Sequence, residues 1–242
     1  MQAFSESNEV SIKAINVEEW RDRIQSNLRC LGYPEAPYWQ GVSLVAVTKY
    51  VDANAIQGAF QCGLLAIGEN KAVEALAKRK DLPPEVNEAI EWHFIGSIQR
   101  NKLNKIVGHY DLIHSVDRIE LLEDIAHKAH ALKIEQRILL QVNVSGESSK
   151  HGVSLNDLPD LMRVALTFVP SVKVLGLMTM APNTEDETVI DACFARLKHA
   201  KSDLEEAFSV SLPHLSMGMS HDYAQGLANG ATIVRIGTKL FE

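Results

Sequence analysis

Lys49 is the residue of this chain whose position best suits covalent chemistry. It ends the run Ser43–Lys49, whose middle is apolar, so we predict that it stands at the carboxyl end of a buried strand. Partial burial disfavours the charged form of an amine and makes it a better nucleophile toward a carbonyl group, as a Schiff base requires. Lysines at strand ends are also commonly solvated surface groups. The rest of the chain must therefore decide between the two interpretations.

Two glycine-containing segments late in the chain have the composition of phosphate-binding loops. They are Ser216–Ser220 and Gly237-Thr238. Glycine lets backbone N–H groups approach an anion, hydroxyl groups add donors, and the start of a following helix adds partial positive charge. Ser220 could instead cap a helix that the pattern predicts over residues 221–229.

Arg235 lies inside the apolar run Thr232–Ile236, and a buried arginine needs a partner. One interpretation is a structural ion pair, with Glu69 or Asp117 as the carboxylate. The other is contact with the ring or the anionic group of a ligand. Asn70 has a similar pair of interpretations, since it could cap a helix or donate to a ligand.

Eight short apolar runs indicate the strands that would position these residues. They are often β-branched and mostly apolar on both faces, which is typical of parallel strands covered on both sides. The runs are Leu44–Val47, Leu64–Ile67, Trp92–Ile95, Leu112–His114, Ile138–Val144, Val172–Met178, His214–Met217 and Thr232–Ile236.

Amphipathic segments with helix start signals separate the runs, so we predict a single (β/α)8 TIM barrel spanning residues 1–242. An open, doubly wound sheet is the alternative, since strand count does not prove closure. An additional N-terminal helix at about residues 17–31 is expected to cover the bottom of the barrel. Barrel enzymes collect their chemistry at the carboxyl ends of the strands and often bind phosphate after strands seven and eight. That arrangement would bring Lys49, Arg235 and both glycine-containing segments to one face.

Composition favours a protein of the cytoplasm that does not bind nucleic acid. The 242 residues carry a net charge of −7 with no basic stripe. The three cysteines, Cys30, Cys62 and Cys193, are widely spaced and suggest neither a metal site nor a disulfide framework. The start, Met1–Glu9, lacks the features of a signal peptide, and no apolar run is long enough to span a bilayer.

A series of motifs, in order along the chain, resembles the pyridoxal-phosphate-binding homeostasis proteins. The matching segments are Ala46–Lys49, Gly68–Asn70, Trp92–Gly96 with Gln99, Asn101 and Lys102, His114–Asp117, Gln141–Asn143 with Lys150 and Gly152, Gly176–Met178, Leu215–Ser220 with Asp222, and Val234–Thr238 with Phe241.

This resemblance implies a fold-type III barrel similar to the N-terminal domain of alanine racemase, with pyridoxal 5′-phosphate (PLP) held on Lys49 as an internal aldimine. Seven residues would then bind the cofactor: Lys49, Asn70, Ser216, Met217, Arg235, Gly237 and Thr238. Ser216, Gly237 and Thr238 would lie near its phosphate, and Arg235 would face the pyridine nitrogen.

The resemblance also implies a role in PLP homeostasis without robust catalysis. Members of the family are thought to store or deliver the cofactor and to influence the balance of amino acids and keto acids. The recipients would be PLP-dependent apoenzymes, and a single complete barrel is compatible with a monomer. One alternative is a PLP-dependent racemase or lyase, which needs a second base. The candidates are His93, Lys102 and Tyr223. His93 could equally be a hydrogen-bonded residue of the core. The other alternative is a cofactor-free Schiff-base aldolase that acts on a sugar phosphate.

Overall fold

A closed barrel of parallel strands forms the body of the protein. The computed structural model describes residues 15–147 and 151–242, with only the backbone of Tyr38. The strands are β1 (Ser43–Val47), β2 (Ala66–Glu69), β3 (Glu91–Phe94), β4 (Leu112–Val116), β5 (Gln136–Asn143), β6 (Val153–Ser154), β7 (Val172–Met178), β8 (His214–Met219) and β9 (Ile233–Ile236).

The pairing of the strands confirms the predicted eight-stranded barrel. In the described ranges the order is β4-β3-β2-β1-β9-β8-β7-β5, and β4 pairs with β5 to close the ring. The two-residue strand β6 only adds to the edge of β5. All pairings of the described strands are parallel. The pairing of β4 with β5 excludes the open-sheet alternative, because an open sheet would leave two edges unpaired.

Helices surround the barrel. They are α1 (Val17–Cys30), α2 (Ala53–Gln61), α3 (Ala72–Lys80), α4 (Pro84–Ala89), α5 (Ile119–Leu132), α6 (Leu158–Leu166), α7 (Glu187–Phe208), α8 (Tyr223–Ala228) and α9 (Thr238–Phe241), with short 3-10 helices at Pro37–Trp39 and Arg100–Lys105. In the part of the chain that the structure describes, none of these helices is both long and apolar enough to cross a membrane.

Helix α1 exists as predicted, but the expectation that it covers the bottom of the barrel is wrong. Its start is set by a capping box, in which Asn16 accepts from the Glu19 N–H and the Glu19 side chain accepts from Asn16. The helix packs along the side of the barrel against α2 and α9, with Trp20 edge-on to Phe241 at 5.8 Å. Because α9 is only four residues long, α1 completes the outer ring where a full eighth helix would otherwise lie.

The barrel has two separate apolar cores. The larger one lies between the strands and the surrounding helices. The smaller one lies inside the barrel and contains Val45, Ala66, Leu112, Leu139, Met178 and Ile233, which come from six different strands. Above this layer the interior carries polar side chains, among them His93, His114, Ser216 and Arg235, all at most 4% exposed. Buried polar groups require partners, and here those partners lie across the barrel.

Candidate functional site

The carboxyl ends of the strands open into a cavity of about 820 Å³. Loops after β1, β2, β3, β7, β8 and β9 contribute to its wall, as expected for the functional face of a barrel. Twenty residues line it: Ile15, Trp20, Val47, Lys49, Tyr50, Val51, Asp52, Asn70, Ile95, Gly96, Ser97, Met180, Met219, Ser220, His221, Arg235, Gly237, Thr238, Phe241 and Glu242.

Lys49 enters this cavity two residues after the end of β1. It is partly buried, and its Nζ lies 4.8 Å from the centre of the Tyr50 ring, a cation–π contact. The described part of the chain gives its amine no ion pair. The amine is thus accessible to a ligand and is not neutralised by a neighbouring carboxylate.

The backbone just before Lys49 is fixed by a buried network around Thr48. The Thr48 hydroxyl donates to Glu69 Oε1 at 2.7 Å, and Lys78 Nζ donates both to that same oxygen at 2.7 Å and to the Thr48 carbonyl at 2.6 Å. The side chain of Glu69 is 1% exposed and that of Lys78 is 16% exposed. The network joins the ends of β1 and β2 to helix α3 and so sets where Lys49 leaves the barrel.

Backbone donors and hydroxyl groups gather on the wall next to Lys49, because β9 is the direct neighbour of β1 in the barrel. Ser220 Oγ accepts from the Gly237 N–H at 3.3 Å and from the Lys239 N–H at 3.4 Å. Gly237 and Thr238 line the cavity beside it. A Cβ atom on Gly237 would lie 3.4 Å from both the Cβ and the carbonyl oxygen of Val47, so this backbone already packs tightly on β1. The wall has the donors that an anion of phosphate size requires.

Arg235 lines the same cavity and is only 4% exposed. Its Nη1 donates to Ser216 Oγ at 2.5 Å and its Nη2 to the Thr179 carbonyl at 3.0 Å. Burial lowers the pKa of Arg235 to about 10, an effect that the charge of Asp222 partly offsets. The guanidinium therefore stays charged at neutral pH.

Neither ion pair predicted for Arg235 forms. Glu69 pairs with Lys78, and Asp117 pairs with its neighbour Arg118. In residues 15–147 and 151–242, neutral oxygens accept the hydrogen bonds of Arg235 and no carboxylate is paired with it. This leaves the interpretation as a ligand contact.

The structure separates the seven predicted cofactor residues into two groups. Lys49, Asn70, Arg235, Gly237 and Thr238 line the cavity. Ser216 and Met217 do not, because β8 runs on to Met219 and contains a bulge between Ser216 and Met219.

In place of Ser216 and Met217, Met219 and Ser220 reach the cavity wall. Ser216 instead faces the barrel interior, where it binds His114 and Arg235, while Met217 packs in the outer core. Ser216 thus contacts Arg235 and is not among the residues that line the cavity, and its place beside a phosphate stays a prediction.

The two possible helix caps are also resolved. The residue that caps α3 is Lys71 and the one that caps α8 is Asp222, neither through its side chain. Helix α8 runs from Tyr223 to Ala228, inside the predicted 221–229. Asn70 and Ser220 thus remain available to a ligand at the cavity wall.

Several residues of the cavity were not identified from the sequence. Ile15 and Trp20 come from the N-terminal segment, His221 follows β8, and Ser97 follows β3; Met180, which follows β7, was expected at the end of its strand. Strand-end reasoning covers Ser97, Met180 and His221, but it could not find Ile15 or Trp20, whose position depends on how α1 packs. Lys150, part of the motif after β5, lies outside the described residues.

Comparison with known proteins assigns the family. Residues 21–242 match the family model described as alanine racemase, N-terminal domain. The pyridoxal phosphate homeostasis protein of Aquifex aeolicus is 42% identical over 198 residues, 82% of this chain and 85% of that protein. The protein of the same name from Pseudomonas aeruginosa is 38% identical over 232 residues, 96% of each chain.

Solved structures agree with this assignment. PipY of Synechococcus elongatus without PLP superposes with a TM-score of 0.82 at 35% identity, over 90% of this chain and 100% of that one. PipY with PLP bound gives a TM-score of 0.79 at 34% identity, with the same coverage. Alanine racemase from Corynebacterium glutamicum shares the fold at 14% identity, with a TM-score of 0.69 over 94% of this chain and 61% of that enzyme. The chain belongs to the pyridoxal phosphate homeostasis protein family, whose barrel is that of the alanine racemase N-terminal domain.

Proposed function

We propose that this protein binds PLP in the cavity at the carboxyl ends of the strands and acts in PLP homeostasis. The observation that carries the proposal is that a lysine amine with no ion pair among the described residues, a buried arginine and a cluster of backbone and hydroxyl donors line one cavity. The name of the relatives and the PLP-bound structure of PipY support it.

The donor set fits a phosphorylated pyridine aldehyde. Lys49 is the attachment point for the aldehyde, and Gly237, Thr238 and Ser220 face the phosphate. Asn70 follows β2, on the other side of β1 from Gly237, and adds a further hydrogen-bonding group to the wall. PLP, when bound, supplies an electron-withdrawing ring and an aldehyde that condenses with amines.

Arg235 explains why such a site binds the cofactor without strong catalysis. A guanidinium has only donors, so the ring nitrogen that faces it must accept a hydrogen bond. A fixed positive charge at that point also opposes protonation of the nitrogen. An unprotonated ring withdraws electrons weakly, which disfavours carbanion chemistry.

The racemase alternative receives no support from the bases considered for it. His93 is 2% exposed in the barrel interior, and Tyr223 stacks on Trp39 at 6.0 Å. Lys102 lies in the exposed 3-10 helix after β3. None of the three is among the residues that line the cavity.

The first experiment is a visible absorbance spectrum of the purified protein, before and after borohydride, followed by peptide mass mapping. We expect a yellow protein that bleaches and carries a reduced pyridoxyl group on Lys49. In Lys49→Ala the adduct should disappear, while Lys71→Ala, which removes an exposed lysine, should label like the wild type. A colourless protein that cannot be loaded with PLP would refute the proposal and favour the cofactor-free aldolase.

Binding by the phosphate side is tested separately. Lys49→Ala should still bind PLP without a covalent bond and should bind pyridoxal, which lacks the phosphate, much more weakly. Equal affinity for the two compounds would contradict the role of Gly237, Thr238 and Ser220. Equilibrium dialysis gives both affinities.

We also propose that the chain is a single PLP-binding barrel domain that acts as a monomer in the cytoplasm and passes the cofactor to PLP-dependent apoenzymes. Light scattering after size exclusion tests the monomer. To test the transfer, the loaded protein is mixed with a PLP-free transaminase in the presence of an amine reagent that traps free PLP by condensing with its aldehyde. Activation no faster than from an equal amount of free PLP would contradict it.

A further inference from the structure

A line of buried polar side chains crosses the barrel interior from the wall of the cavity to the barrel bottom. Arg235 Nη1 lies 2.5 Å from Ser216 Oγ, and that oxygen lies 2.9 Å from His114 Nδ1. His114 Nε2 lies 2.9 Å from His93 Nδ1. His93 Nε2 then lies 3.5 Å from Glu91 Oε1, an electrostatic contact that does not meet hydrogen-bond geometry, and this nitrogen has no hydrogen-bond partner among the described residues.

These contacts can form only across the interior. His114 is on β4 and Ser216 is on β8, and two other strands separate β4 from β8 in the barrel. Both side chains are fully buried, so water cannot replace their partners without a cavity to hold it. The line therefore joins groups that belong to β3, β4, β8 and β9.

The two ends of the line fix the direction of every hydrogen bond. Arg235 can only donate, so Ser216 Oγ accepts from it and directs its own hydrogen to His114 Nδ1. His114 must then carry its proton on Nε2 and donate to His93 Nδ1. His93 in turn carries its proton on Nε2, toward a carboxylate that can only accept. This arrangement forms the three hydrogen bonds of the line with both rings neutral and turns the His93 Nε2–H toward the Glu91 carboxylate.

Electrostatics favours the same arrangement. Burial and the nearby charge of Arg235 hold the pKa of His114 well below its ordinary value, so the ring is neutral. Contact with His93 lowers the pKa of the Glu91 carboxyl, which is half exposed and stays ionised. The positive charge of Arg235 and this negative charge thus lie at the two ends of the line.

We propose that His114, held as the Nε2–H tautomer, is a positioning residue that fixes Arg235 at the cavity wall through Ser216. This proposal deepens the proposed function and rests on it where cofactor binding is concerned. Two of the five N–H groups of Arg235 are used by Ser216 and Thr179. The fixed guanidinium then presents its remaining edge to the ring nitrogen of the bound cofactor.

The first test uses the unloaded wild-type protein and is independent of the cofactor. Long-range ¹⁵N–¹H correlation spectra of histidine-labelled protein report which ring nitrogen carries the proton. We expect His114 and His93 each to show a protonated Nε2 and an unprotonated Nδ1 at neutral pH. A His114 that is cationic or protonated on Nδ1 would overturn the proposal.

The second test breaks the line at one atom. Ser216→Ala removes the oxygen between Arg235 and His114, and His114→Gln removes the imidazole. We expect PLP to bind each variant roughly 10-fold more weakly, the equivalent of one lost hydrogen bond to a charged group. The dissociation constant of inorganic phosphate, measured by competition with PLP, should be the same in the wild type and in both variants, because Gly237, Thr238 and Ser220 are unchanged.

The matched control is His214→Gln. His214 is a histidine of the same barrel whose Nδ1 approaches Thr232 Oγ1 at 3.4 Å; it lies within electrostatic range of Glu91 and His114 but forms no hydrogen bond of the line, so it separates the effect of charge from that of the hydrogen bonds. It should leave PLP affinity unchanged. Wild-type PLP affinity in folded Ser216→Ala and His114→Gln would overturn the positioning role, whereas a wild-type protein that binds no PLP would refute the proposed function and leave the tautomer test in force.

Discussion

Lys78→Met tests whether burial, and not pairing alone, makes the ion pair beside Lys49 strong. The Lys78–Glu69 pair has an N···O distance of 2.7 Å, and its side chains are 16% and 1% exposed. Lys71 and Glu74, at the start of the same helix α3, form a pair of nearly the same length, 2.8 Å, but with side chains 63% and 52% exposed. The two lysines thus differ mainly in burial.

The expected magnitudes follow from that difference. Lys78→Met leaves the Glu69 carboxylate buried with only the Thr48 hydroxyl as a described partner, and an uncompensated buried charge costs about 3–5 kcal/mol. We expect the lower end, about 3 kcal/mol, because the hydroxyl remains. The Thr48 carbonyl still accepts from the Val51 N–H at 3.1 Å and so is not left unpaired. Lys71→Met should change stability by no more than about 0.5 kcal/mol.

Urea denaturation followed by circular dichroism gives both free energies of unfolding. The double variant Glu69→Gln with Lys78→Met removes both charges, and it should be more stable than Lys78→Met alone because no buried charge is left. A loss in Lys78→Met as small as that in Lys71→Met would refute the reasoning. So would a double variant less stable than the single one.

Three further predictions concern backbone geometry, pH and capping. Gly176→Ala should destabilise the protein strongly or prevent folding, because its φ is +155° and a Cβ would lie 1.9 Å from the His214 carbonyl oxygen. The control Gly63→Ala, at φ +82° with open space around the new Cβ, should lower the free energy of unfolding by about 1 kcal/mol. Thermal or urea unfolding measures both. The pKa of His114 is depressed in the folded protein, so below about pH 6.5 the unfolded chain binds a proton that the folded chain does not. The free energy of unfolding should therefore decrease as the pH is lowered, by up to about 1.4 kcal/mol per pH unit. The slope should be shallower in His114→Gln, and equal slopes in the two proteins would contradict the burial effect. Asn16→Ala should cost about 1 kcal/mol through loss of the capping box, and no change in urea unfolding would show that α1 does not depend on it.

The fold could be predicted from the sequence because parallel strands that are buried on both faces appear as short, continuous apolar runs. All eight predicted runs correspond to barrel strands, and only their ends differ; β2, for example, starts at Ala66 where the run starts at Leu64. The exact ends of the strands could not be predicted, because a strand buried on both faces shows no alternation of apolar and polar residues that would mark where it starts and stops. The final residues of each strand then depend on pairing with its neighbours.

The site was predicted less completely for the same reason. Lys49 and Gly237 follow strands that end where the apolar run ends, and they line the cavity as expected. Ser216 follows an apolar residue too, but a bulge and the left-handed backbone of Gly218, with φ +92°, carry β8 three residues further. The contribution of Trp20 depends on a contact between distant parts of the chain, and local pattern contains no information about such contacts.

The place of α1 in the outer ring has a consequence for the order of folding. Arg23 and Asn27 donate to the carbonyls of Phe241 and Leu240, residues 218 and 213 positions later in the chain, and β1 pairs with β9 at the same seam. Contacts of such sequence separation form late, because a long loop must close before they contribute. During synthesis on the ribosome, the edge of β1 and the apolar face of α1 stay exposed until the residues of β9 and α9 have emerged. Exposed apolar surface and unpaired strand edges are prone to aggregation, so the chain is most vulnerable during this interval.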